Sequence, residues 1–193
     1  MNINTKKYIE SFIKIRDKNG NIVNLQLNSP QQKLYNIIKE QHIQNKPVRI
    51  IILKARQMGF STLTEAIFFK DTVTKFNRRT GIITHLDSAT TNLFNMSKLI
   101  FDNLPTDLKP AIKNSNAKEL VFDNDKGTGL KSKIKCMTAR NTRRRKVRYI
   151  RQFTFKRTCI LEWRCFKHSN WIITICAKFA KNFYNNRKHS ERI

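Results

Sequence analysis

Acidic residues are scarce in this sequence. Its 193 residues include 13 Asp and Glu against 39 Lys and Arg, for a formal net charge of +26. That imbalance excludes a cationic partner as the main target and favours a polyanionic one. Glycine (5) and proline (4) are also few, which excludes collagen-like and linker-like chains. Cys136, Cys159, Cys165 and Cys176 form no CxxC pair, and His42, His85, His168 and His189 are scattered, so neither a zinc site nor a disulfide framework is expected. No apolar run could cross a bilayer: the longest near the end, Trp171 to Ala180, is too short and carries Lys178. The first residues, Met1-Asn-Ile-Asn-Thr-Lys-Lys7, lack the apolar core of a secretory signal, and a cytosolic location is expected. What is present is enough for a core. Hydrophobic residues make up 39%, and the length fits one domain with an appendage.

The scarcities are not uniform. Residues 143–193 hold 15 Lys and Arg against two acidic residues, half of the net charge of +26. This segment has no Gly, Pro or Asp, yet contains both tryptophans and three of the four cysteines. Composition therefore breaks near Thr142, dividing a body, 1–142, from a basic, aromatic-rich tail, 143–193.

The body alternates strand and helix patterns. Phe12 to Leu27 reads as a hairpin around Asn19-Gly20. Ser29-Pro30 opens a helix with Leu34, Ile37 and Ile38 at helical spacing. Val48 to Leu53 is a β-branched run suited to a buried central strand. A helix is predicted from about Ser61 to Phe76, a strand over Gly81–Asp87, a helix over Thr90–Leu104, and strands over Lys118–Phe122 and Leu130–Thr138. Such alternation predicts an α/β fold with a parallel sheet and crossover helices.

The segment between the first apolar strand and its helix, Lys54-Ala55-Arg56-Gln57-Met58-Gly59-Phe60-Ser61-Thr62, carries the chemistry. A tight strand-to-helix turn presents backbone N–H groups at the positive end of a helix, where phosphate binds. Gly59 allows close approach of the backbone, and Ser61 offers a hydroxyl to a phosphate-bound Mg²⁺. The usual phosphate-loop pattern would place Gly at 54 and Lys at 60, where this chain has Lys54 and Phe60. The phosphate cation must then be Lys54 or Arg56. The alternative is an ordinary turn, with Gly59 for geometry and Ser61 as a cap.

LKARQMGFSTL, residues 53–63, resembles the deviant phosphate loop of phage terminase large subunits, the ATPases that drive DNA into capsids. LNSPQQKLY, residues 27–35, resembles the family's adenine-side glutamine motif, with Gln31 the better candidate and Gln32 next. GIITHLDSATTNLF, residues 81–94, resembles its second strand and helix, and SKIKCMTARN, residues 132–141, the stretch before its Walker B strand. The resemblance covers residues 12–142. It implies a P-loop NTPase-like parallel sheet with flanking helices, incomplete in this chain, with ATP and Mg²⁺ as cofactors. It implies Gln31 for adenine, the segment Lys54 to Thr62 for the phosphates, and Ser61, less favourably Thr62, for the metal. In the intact family the partners are double-stranded DNA, the portal protein and the terminase small subunit, in the bacterial host cytoplasm and away from membranes. Asp87 ends an apolar strand in this reading, but that strand is not the family's Walker B strand, so no metal role falls to it. His85 reads as a plain strand residue.

The tail can be read in three ways. Taken literally, cations interleaved with Phe153, Phe155, Trp163, Phe166, Trp171, Phe179, Phe183 and Tyr184 suit single-stranded nucleic acid, and a stand-alone basic nucleic-acid-binding protein is the rival function. Such a density can also arise without any selection for binding, and the turn residues of a working loop-rich domain are missing. The third reading is a change of frame. Back-translated degenerately and read one base over, Phe153–Arg164 can encode Leu-His-Leu-Ser-Glu-Leu-Ala-Phe-Trp-Asn-Gly, and Asn185–Arg192 can encode Ile-Ile-Glu-Ser-Thr-Ala-Asn-Gly. These resemble the terminase Walker B segment and coupling motif, in order. The expectation is a frame change near Thr142, leaving no in-frame catalytic glutamate, coupling motif or nuclease domain, a poorly defined tail, and a sheet short of two strands.

Overall fold

The computed structural model describes residues 4–53, 57–84, 86–124, 126, 128–138 and, by their backbone, 152–156 and 171–176. Helix α1 (Thr5–Phe12) is capped by the Asn4 side chain and leads into a small hairpin, β1 (Lys14–Arg16) and β2 (Ile22–Asn24). Next come α2 (Ser29–Ile43), β3 (Val48–Leu53), α3 (Phe60–Thr74), β4 (Arg79–Thr84) and α4 (Asp87–Asp102). After a 3₁₀ turn at Thr106–Leu108 follow β5 (Ile112–Asn116), β6 (Glu119–Phe122), β7 (Ser132–Thr138), β8 (Gln152–Lys156) and β9 (Trp171–Cys176).

The larger sheet has the order β3-β9-β8-β4-β7-β6-β5. The five strands from β3 to β7 are mutually parallel, and β6 and β5 extend the sheet antiparallel. The parallel α/β expectation holds, and three details of the sequence reading need correcting. First, β3 is an end strand rather than a central one. It pairs with β9 alone among the described strands, burying Val48 and Ile52 while Ile51 and Leu53 are 59% and 66% exposed. Second, β4 stops at Thr84, and Asp87 opens α4 instead of closing the strand, because an acidic residue is favoured at the positive end of a helix. Third, the sheet is not short of two strands beyond residue 142. The backbones of Gln152–Lys156 and Trp171–Cys176 stand between β3 and β4, in register with both neighbours. Both are short runs of β-branched and aromatic residues, a composition that suits a strand.

Helix α3 is buried on most of its sides, with Leu63, Ala66, Ile67, Phe68 and Phe69 in the core and Thr64, Glu65, Asp71 and Thr72 enclosed beside them. Phe69 meets Phe122 of β6 edge-on at 6.2 Å between ring centres, and Phe101 of α4 closes the cluster at 5.8 Å from Phe122. The position of α3 is thereby fixed against the sheet, and with it Gly59 at its N-terminus.

Candidate functional site

The loop joining β3 to α3 lies at the carboxyl edge of the parallel strands, where open α/β sheets bind their ligands. Lys54, Ala55 and Arg56 lie outside the described residues, as does His85. Gln57 adopts a left-handed backbone with φ +62°, and Gly59, the N-cap of α3, does the same with φ +72°. Glycine takes this conformation freely, whereas for a residue with a Cβ it costs about 1–3 kcal/mol.

The Gly59 carbonyl accepts the first helical bond, from the Leu63 N–H at 3.0 Å. The N–H groups of Phe60, Ser61 and Thr62 have no acceptor within the helix. Among the described residues no side chain caps this terminus, and no acidic residue stands in its first turn. Gly59, Ser61 and Thr62 are half-buried, while Phe60 turns its ring into the core. Phe60 therefore leaves only its backbone at this terminus, and Met58 packs partly against the same core. An accessible, acid-free helix N-terminus with a left-handed glycine before it is a setting that suits an anion, and Ser61 stands half-buried in its first turn. Among the described residues no three His, Cys, Asp or Glu side chains cluster to hold a metal on their own.

Gln31 comes to this loop from α2. Its amide donates to the Gly59 carbonyl at 2.8 Å, joining two sequence-predicted residues that are 28 positions apart. Its side-chain oxygen accepts the Asn28 N–H at 3.0 Å, and Asn28 in turn accepts the Gln31 N–H at 2.9 Å, a reciprocal capping box. Gln32 points elsewhere, donating to Asn36 on the outer face of α2. Sequence reasoning missed the helix cap that Asn28 gives α2, although an Asn followed three residues later by Gln is the signal for that box.

Thr62 also lines a cleft of about 560 Å³ between β1 and α4, with Arg16, Asn95 and Lys98 on its other walls. Asp87 belongs to a hydroxyl network at the carboxyl ends of β4 and β7. It accepts Thr138 Oγ1 at 2.5 Å and Lys118 Nζ at 3.2 Å. Thr90 Oγ1 lies 2.6 Å from Thr84 Oγ1 and 3.0 Å from Thr138 Oγ1. This network ties α4 to the sheet.

A mostly parallel sheet with helices between its strands and two antiparallel strands at one edge defines a mixed α/β architecture. The fold is similar to that of the HK97 bacteriophage large terminase in its crystal structure, with a TM-score of 0.67 at 14% identity. The match covers 97% of this chain and 41% of the terminase chain, so the chain spans less than half the length of that protein. No protein-family model and no curated protein matches the sequence. No helix among the described residues is long and apolar enough to cross a membrane.

Proposed function

We propose that the chain is the ATP-binding portion of a phage or prophage terminase large subunit, the motor that moves double-stranded DNA into a procapsid. One observation carries this reading: the acid-free N-terminus of α3, led by left-handed Gly59, at the carboxyl edge of a terminase-like sheet. The N–H groups from Gly59 to Thr62 would hold phosphate oxygens, Lys54 or Arg56 would supply the cation, and Ser61 would reach Mg²⁺. ATP–Mg²⁺ when bound supplies a phosphoryl group activated toward water. Using it also requires a carboxylate that positions that water. After β8 the sequence runs Lys156-Arg157-Thr158-Cys159, with no acidic residue at the strand's end. The chain therefore binds ATP–Mg²⁺ without turning it over. The break in composition at Thr142 marks a change of reading frame that removed the catalytic glutamate. Double-stranded DNA, portal protein and terminase small subunit are the partners of the intact motor, in the host cytoplasm.

Two measurements test this. Purified chain is expected to bind Mg·ATP and to release no phosphate; turnover abolished by Lys54→Ala or Arg56→Ala would contradict the second half. The coding DNA is expected to read through both shifted motifs in the neighbouring frame. Codons for 153–164 that cannot yield the glutamate segment would overturn the frame change.

A further inference from the structure

The side chain of Gln31 is 3% exposed, and both ends of its amide are engaged within the protein. Its oxygen holds the Asn28 N–H, and its nitrogen holds the carbonyl on which α3 begins. An amide enclosed to this degree, with each end already bonded inside the protein, is poorly placed to meet a base edge. The fit at Gly59 is equally tight, since a Cβ added there would lie 2.5 Å from Gln31 Nε2. The glutamine thus occupies the space that the missing side chain leaves. From this geometry we infer that Gln31 is a positioning residue for the phosphate loop rather than a reader of adenine. It clamps the Gly59 peptide, fixes the left-handed turn, and so sets the direction of the N–H groups that follow.

The inference rests on the phosphate-binding reading, yet it makes a different demand. A base reader distinguishes ATP from GTP and contributes nothing to a ligand without a base. A loop clamp acts on the phosphates and is blind to the base. The full chain and its Gln31→Met and Asn28→Ala variants are titrated with Mg·ATP, Mg·GTP and Mg·tripolyphosphate. Gln31→Met keeps the volume and neutrality of the side chain but cannot donate to Gly59. It is expected to weaken all three ligands alike, by about tenfold, the worth of one well-placed hydrogen bond. Asn28→Ala opens the capping box but leaves the clamp, and is expected to bind all three as the parent chain does. A loss confined to ATP would overturn the inference. So would an equal loss in Asn28→Ala, because α2 stability would then be the cause.

If the parent chain bound none of the three, the phosphate-binding reading would fail and the clamp would still be open to measurement. The Leu63 amide bonds to the clamped carbonyl, so its hydrogen exchange is expected to quicken in Gln31→Met and not in Asn28→Ala. Unchanged Leu63 exchange in Gln31→Met would overturn the clamp with or without a ligand.

Discussion

At the scale of single residues, the site turns on Gly59. A methyl group there would have to adopt φ +72° and push against Gln31 at once. Gly59→Ala is expected to cost about 1–2 kcal/mol in urea unfolding, and a change within about 0.5 kcal/mol would contradict the assigned backbone geometry. Cys136 offers a second test. Burial, aided by the nearby charge of Glu65, pushes its thiol well above the ordinary range. It is expected to resist alkylation at pH 8 in the native protein and to react once urea unfolds it, as read by peptide mapping. The turn at Gly59 was legible in the sequence, because a glycine between an apolar run and a helix suits a left-handed backbone. The bond from Gln31 to Gly59 was not, since it depends on how α2 docks beside β3. Nor was the left-handed turn at Gln57, which no residue preference announces.

Elements are held together by polar pairs whose loss is measurable. Thr90 is fully buried and bridges the hydroxyls of Thr84 and Thr138, so Thr90→Val removes a shared partner from both. The expected cost is about 1–3 kcal/mol, and a neutral substitution would show that the network contributes nothing. On the antiparallel flank, Glu119 of β6 pairs with Lys133 and Lys135 of β7. Burial alone would push its carboxyl up, but the two lysines together hold it below its usual 4.5. A lowered carboxylate stabilises the fold above its unfolded value, and that contribution is lost as pH falls through the folded one. The parent chain is therefore expected to lose stability below about pH 4.5 more steeply than Glu119→Gln; identical profiles would contradict the pairing. The elements that could be read in the sequence were those with a strong apolar period. Helix α1 was missed because its start is a lone Asn4 cap in a lysine-rich stretch. Strand β5 was missed because Ile112-Lys-Asn-Ser-Asn116 shows no alternation of apolar residues.

For the whole molecule, the telling feature is the pair β8 and β9 between β3 and β4. Without them β3 has no partner among the described strands, and the loop it feeds has no sheet edge to stand on. A chain ending at Thr142 is thus expected to lose its cooperative thermal transition, and a sharp transition in that fragment would contradict the sheet order. The parallel layout could be inferred from strand–helix alternation in the body. The placement of the tail strands could not, because a segment of basic and aromatic residues without turn signals gives no indication of its neighbours. The account as a whole depends on where a triphosphate binds. Backbone amide shifts of the ¹⁵N-labelled chain, followed during a titration with Mg·ATP, test this most directly. The largest changes are expected at Gly59, Phe60, Ser61 and Thr62; changes centred instead on Asn92 to Asp102, or none anywhere, would contradict it.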